Sequence, residues 1–160
     1  MGSSTKKNIV EGVFNSVLCY CLPLFGGCNK SEINMLQVQQ NRAAQIVLSL
    51  PPRTSRDFMF DKLGWLTVQQ LIAYHTLITV YRIRKSQEPE HLFSILGRDN
   101  STGHIIMKNK QLGLYRNSFV FRRSLLWNKL PNEVRIETKI AKFKKGLRKW
   151  VFNNVARLPG

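Results

Sequence analysis

The sequence predicts a mainly α-helical chain. Three observations carry that prediction. Apolar residues recur at intervals of three and four along at least four segments. Serine, threonine or proline precedes most of those segments, and glycine or proline follows them. Hydrophobic residues make up 43% of the 160, which supplies a core and argues against a disordered chain.

The first helix is expected over 6–22. Ile9, Val10, Val13, Phe14, Val17, Leu18 and Cys21 share helical spacing behind the candidate caps Ser3, Ser4 and Thr5, and Pro23 with Gly26-Gly27 ends the run. Ser31 is the expected cap of a second helix, about 32–50, with Ile33, Leu36, Gln40, Ala43, Ala44 and Val47 inward; Pro51-Pro52 stops it. Ser55 caps a short helix holding Phe58, Met59 and Leu63, with Gly64 as its C′ residue. Thr67-x-x-Gln70 is a capping-box pattern and opens the longest helix, about 68–85. Leu71, Ile72, Tyr74, Leu77, Ile78, Val80, Tyr81 and Ile83 surround most of that helix, so it is expected to be central and buried. His75 within it reads as a satisfied core histidine.

Pro89 and Gly97 frame a short helix over 89–96. Residues 98–116 carry Asn100, Gly103, Asn109 and Gly113 with little period, and read as a loop-rich excursion with room for short strands at Ile105–Met107 and Leu112–Tyr115. A helix over 118–129 turns Phe119, Leu126 and Trp127 inward and ends at Pro131. The last helix, about 138–153, places Ile140, Phe143, Leu147, Trp150 and Val151 on one stripe. Two regions are expected, 1–97 and a basic 98–160, packed as one unit.

The formal net charge is +16, and it is unevenly spread. Residues 1–80 hold 7 Lys/Arg and 4 Asp/Glu, while residues 81–160 hold 18 and 5. So one-sided a surplus points to a polyanion, with nucleic acid ahead of an anionic membrane surface. The candidate phosphate contacts are Arg42 on the second helix, Arg122 and Arg123 on the 118–129 helix, and a cluster on the last helix. There Lys142, Lys145, Arg148 and Lys149 lie opposite the apolar stripe, with Lys144 at its flank, and no acidic residue follows Glu137. The cluster falls within about three helical turns and suits adjacent phosphates; the competing reading is a solvated face.

Cys19, Cys21 and Cys28 form neither a disulfide framework nor a zinc spacing, and His75, His91 and His104 never fall at i, i+4. Cys19 and Cys21 read as small core residues, and a reducing compartment follows. Lys6-Lys7 ahead of Val17–Phe25 has the order of a signal peptide, but Glu11, Asn15 and Pro23 interrupt it. Lys6 stands where myristoylation after Met1-Gly2 needs Ser or Thr. No apolar run reaches the roughly 18 residues of a membrane span. An intracellular location, nucleus or cytoplasm, is expected, with no membrane partner and no cofactor.

Four stretches resemble the region that follows the palm in non-LTR (LINE-type) retrotransposon reverse transcriptases. Asn15-Ser-Val-Leu-Cys-Tyr-Cys-Leu-Pro-Leu-Phe25 resembles that family's Ser-x-Leu-x-Tyr-Cys helix. Leu36-Gln-Val-Gln-Gln-Asn-Arg-Ala-Ala44 is similar to Leu-Gln-x-x-Gln-Asn-x-Ala-Ala-Arg, with Gln45 in the basic position. Leu63-Gly-Trp-Leu-Thr-Val68 is similar to Leu-Gly-Trp-Leu-x-Val-x-x-Arg, with Gln70 or Leu71 where a basic residue is common. Leu126-Trp-Asn-Lys-Leu-Pro131 and Phe143-Lys-Lys-Gly-Leu147 resemble Leu-Trp-Asn-x-Leu-Pro and Phe-Lys-x-x-Leu. Each motif is short; their order across residues 8–151 carries the resemblance. It implies a polymerase thumb at the start, a thumb-like helical bundle over 1–97, and the segment after the thumb over 98–160. The thumb of such enzymes grips the primer–template duplex.

The same residues have plain structural readings. Trp65 and Trp127 read as core anchors rather than stacking platforms. Gln39, Gln40 and Asn41 either contact a nucleic-acid backbone or fasten their helix to a neighbour.

Polymerase chemistry needs carboxylates that clamp two metal ions, and the sequence has no Tyr-x-Asp-Asp turn. Asp57 and Asp61, four apart, read as a solvated face. No Gly-rich phosphate loop and no Gly-x-Ser-x-Gly occurs. The chain is therefore expected to be non-catalytic, its parent activity being RNA-directed DNA polymerase. Three functional readings stand: a grip on RNA, DNA or hybrid duplex through backbone contacts, a helical module docking on the polymerase palm, and a decayed element copy.

Overall fold

The computed structural model describes residues 3–12, 16, 30–96, 100, 103–105 and 119–155. The described part is mainly helical and contains no strand. Its helices are α1 (Ser3–Val10), α2 (Lys30–Leu48), α3 (Arg56–Leu63), α4 (Val68–Ser86), α5 (Glu90–Leu96), α6 (Phe119–Asn128), α7 (Asn132–Arg135) and α8 (Ile140–Asn154). They fall into two compact units, one within residues 1–72 and one within 73–155. The division lies inside α4, so the expected boundary at 97 falls within the second unit.

In the first unit, α2 contributes Ala44 and Val47, α3 contributes Met59, Phe60 and Leu63, and Trp65 closes a buried cluster against which Val10 of α1 packs. The indole stands edge-on to Phe60, with ring centroids 6.1 Å apart. Its Nε1 donates to Glu11 Oε1 at 2.7 Å, so the expected core anchor also reaches back to the α1 segment. Lys7 donates to the Leu63 carbonyl at 3.2 Å, where a cation suits the negative end of α3.

Local chemistry explains the α3–α4 turn. Gly64 adopts φ +66, and its N–H bonds the Asp61 carbonyl, ending α3 as expected. Thr67 N–H then donates to Gln70 Oε1 at 2.9 Å, and Gln70 N–H donates to Thr67 Oγ1 at 3.3 Å. This is the reciprocal capping box the sequence predicts. Two other caps differ. Ser31 lies inside α2, which starts at Lys30. Ser55 occupies the N-cap of α3, but its side chain makes no capping bond; its carbonyl accepts from Met59 N–H at 3.2 Å.

The Gln-rich motif of α2 fastens that turn. Gln40 is buried and donates to the Leu66 carbonyl at 2.9 Å, while Gln37 Oε1 accepts from Val68 N–H at 3.0 Å. Gln37 also donates to Gln40 Oε1 and to Asn41 Oδ1, both at 3.0 Å. Gln39 is exposed.

In the second unit, Leu77, Val80 and Tyr81 of α4, Trp127 of α6 and Phe143, Leu147 and Val151 of α8 are buried. Tyr81 stacks on Phe143 with centroids 4.2 Å apart, and its hydroxyl donates to the Thr138 carbonyl at 2.6 Å. Asn128 clamps Ile105, accepting from its N–H at 2.8 Å and donating to its carbonyl at 3.0 Å. α6 stops at Asn128, and Pro131 serves instead as the N-cap position of α7, a helical turn the periodicity did not reveal. Of the expected strands, only Ile105 of the first is described, and Leu112–Tyr115 lies outside the described residues. So do Cys19, Cys21 and Cys28, and all of the stretch 15–25 except Ser16.

Candidate nucleic-acid interface

The most basic described element is α8. Phe143, Leu147 and Val151, spaced i, i+4 and i+8, are each 0% exposed and fix the helix by one stripe. Lys142, Lys145, Arg148 and Lys149 are exposed on the other side, and Lys144 is half-buried at the flank. The stripe is narrower than expected: Ile140 is 39% exposed, and Trp150 is half-buried.

The cationic face continues onto α4. Burial lowers the His75 imidazole below its usual range, and the positive charges of Lys144 and then Arg82 lower it further. Burial raises the Tyr74 phenol, an effect partly offset by Arg148. Lys144 of α8 and the exposed Arg82 of α4 are thus within electrostatic range of His75, and Arg148 is within range of Tyr74. The sequence reading missed Arg82; its polarity within an otherwise apolar helix was the available signal. His75 is half-buried, with its ring edge-on to Tyr74 at 5.4 Å. Glu137, the last carboxylate before the cluster, is held below the usual range, chiefly because its Oε1 accepts the Lys139 backbone N–H at 2.9 Å.

The other expected contacts divide. Arg42 is exposed on α2, which belongs to the first unit. Arg123 is only 6% exposed, and burial pulls its guanidinium down to about 10; the α6 backbone turns it into the second unit, so it does not face solvent as a phosphate contact must. Arg122 lies in α6, and its side chain is outside the described residues.

Two further arginines, Arg84 and Arg135, escaped the sequence reading. They line a cleft of about 220 Å³ with Tyr81, Lys85, Gly103, Trp127, Ile136 and Glu137. Among the described residues, no three of His, Cys, Asp and Glu gather closely enough to hold a metal ion. Asp57 and Asp61 are both exposed on α3. No described helix is long and apolar enough to cross a membrane.

Comparison with known proteins identifies no relative: no family model, no curated protein and no solved structure matches the chain.

Proposed function

We propose that the chain grips RNA, DNA or their hybrid through phosphate contacts, as a non-catalytic C-terminal piece of a non-LTR-type reverse transcriptase. The observation that carries the grip is the outer face of α8. Four exposed cations lie within about 10 Å along the axis, at about 1.5 Å per residue, and no acidic residue follows Glu137. Lys144 and Arg82 extend the positive field across α4. Such a surface recognises backbone charge and carries little base information. The parentage rests on the ordered motifs alone. Several have structural work to do: Gln40, Thr67, Gln70 and Asn128 bind the fold together.

Titration of RNA, DNA and hybrid at several salt concentrations tests the grip. Similar affinity for all sequences and a steep log–log salt slope are expected. Affinity that ignores salt removes the reading. The chain is also expected to extend no primer with magnesium or manganese, since its sequence lacks the metal-clamping turn. Extension that co-purifies with the chain, and dies with a point change in it, refutes that part.

One observation favours a second reading, docking on a protein such as the parent palm. On α2, Met35, Val38 and Ile46 are 67%, 47% and 64% exposed, and they follow one another at helical spacing. Exposed apolar residues grouped in this way mark contact surfaces more often than residues scattered singly.

A further inference from the structure

Arg135 ends α7 inside the second unit with its donors unmet. It is 8% exposed, and its Nε and Nη1 are buried without a hydrogen bond. Among the described residues it forms no ion pair. A guanidinium so placed has given up water and gained no acceptor, which is costly. Burial lowers its pKa, and no described carboxylate counters that effect.

The side chain lines the cleft of about 220 Å³. The other polar groups of that lining have contacts of their own. The Arg84 guanidinium carbon lies 4.9 Å over the Trp127 ring, and its Nη2 donates to the Gly103 carbonyl at 3.5 Å. Trp127 Nε1 donates to the same carbonyl at 3.1 Å. The Tyr81 hydroxyl donates to the Thr138 carbonyl at 2.6 Å, and Glu137 Oε1 accepts the Lys139 N–H at 2.9 Å. Lys85 is exposed. Arg84 is thus an engaged wall of the cleft, and Arg135 is the lining group with buried donors left over.

The chemistry of the missing acceptor follows from Arg135 alone. A guanidinium presents its N–H groups as planar pairs, side-on through Nε and Nη2 or end-on through Nη1 and Nη2, so each pair includes one of the two orphaned nitrogens. The group that matches such a pair is a planar oxyanion, and a carboxylate fits it with two parallel hydrogen bonds. The recess demands a terminal group, which excludes a phosphodiester flanked by two sugars. A phosphate dianion would hold its second charge in the same recess as the Glu137 carboxylate, where poor solvation makes repulsion strong. Since Nε and Nη1 are closed off from water, the guanidinium turns a short way into the cleft to meet its ligand.

We propose that this cleft binds a carboxylate, carried by a small organic acid or by an acidic side chain of a protein partner, on the guanidinium of Arg135. The site does not depend on the α8 face.

The test uses the whole chain labelled with ¹⁵N, and follows the arginine Nε–H resonances by NMR. The Arg135 signal is the one missing from Arg135→Gln. Sodium acetate is titrated against sodium chloride at equal ionic strength, with inorganic phosphate as a third arm. Acetate is expected to shift the Arg135 signal saturably, half-saturating near 10 mM on the order-of-magnitude scale of one charge-assisted pair. Chloride is expected to leave it in place. No saturable shift with acetate overturns the proposal, and so does tighter binding of phosphate than of acetate. A short capped peptide with one glutamate is then compared with its glutamine twin. A preference of about tenfold for the glutamate peptide assigns the cleft to an acidic partner segment, and acetate binding without that preference assigns it to small free acids; either supports the proposal.

Arg135→Gln is expected to hold or raise the melting temperature in chloride, since it removes an uncompensated buried charge, and to lose any increment that acetate gives the parent. A merely structural arginine would lower the melting temperature in both salts, which overturns the proposal. Arg135→Lys keeps the charge without the planar pair and should also lose the increment; an increment kept by both variants refutes the site. The Lys142→Glu, Lys145→Glu and Lys149→Glu triple should leave the acetate shift of Arg135 unchanged, which keeps failure of this site distinct from failure of the grip.

Discussion

At the scale of single residues, the motif positions with the clearest structural account are those that bond the backbone. Gly64 shows why a glycine follows α3. A Cβ there would meet nothing within 4 Å, so space is not the constraint; φ +66 is. Gly64→Ala is expected to cost about 1 kcal/mol in urea unfolding, the penalty of a left-handed L-residue. Gln40 tests a different point. Its side chain is 1% exposed and donates to the Leu66 carbonyl. Gln40→Leu leaves that carbonyl without its donor and should cost about 1–3 kcal/mol. The same variant should bind nucleic acid as tightly as the parent under conditions where both are folded. Weaker binding with unchanged stability would make Gln40 a nucleic-acid contact after all. The sequence showed that this amide needed a partner, but the partner, a carbonyl on the far side of α3, is set by tertiary packing. Arg123 is the converse. Its type and charge pointed outward, and the fold buries it.

At the scale of elements, helices were legible, among the described residues, wherever periodicity ran for two turns or more. α4 begins one residue from its capping box and ends at Ser86, close to the expected 68–85. α7 was not legible, because four residues carry too little period to be distinguished from a turn. The split of residues between two units inside α4 was also hidden, since a continuous helix gives no local sign of a change in packing partners. The α4–α8 neighbourhood makes a pH-dependent prediction. The folded pKa of His75 is lowered, by burial first and by Lys144 and Arg82 after it. The unfolded chain therefore takes up the proton more readily. The contribution to stability is complete above the unfolded value of about 6.5 and is lost as pH falls through the lower folded value. Unfolding curves measured downward from pH 7 should show this loss, and His75→Gln should flatten it. Lys144→Gln should move the imidazole titration, followed by its NMR ring proton, part of the way back up, since burial remains. An unmoved titration would mean that the α8 cations do not reach α4 as described.

At the scale of the whole molecule, charge is the property that the sequence and the structure describe in the same terms. The sequence placed the surplus in the second half, and α8 turns much of it toward solvent. What composition could not show is how cations group. Lys142, Lys145, Arg148 and Lys149 are close because a helix repeats every 3.6 residues, which the pattern disclosed. Arg84 and Arg135 are close because α4 and α7 meet across the second unit, which no local pattern discloses. The decisive prediction concerns the first group. Lys142→Glu, Lys145→Glu and Lys149→Glu together change only exposed positions, so the buried stripe of Phe143, Leu147 and Val151 and the helical circular dichroism should survive. Every lysine–phosphate pairing that is removed should reduce the log–log salt slope by about 0.9 on duplex DNA and about 0.7 on single strands. If all three lysines touch phosphates, the slope falls by about 2 to 3 on the same scale, and RNA and DNA weaken together whatever their sequence. A solvated face predicts a smaller and purely long-range effect. Reversed charges would still repel the polyanion, but neutral replacements, Lys142→Gln with Lys145→Gln and Lys149→Gln, would then leave the slope nearly as it was. The neutral triple is therefore the sharper measurement. A parent-like slope in that variant, with the chain fully folded, removes α8 from the interface and leaves the apolar stripe of α2 as the better-supported contact surface.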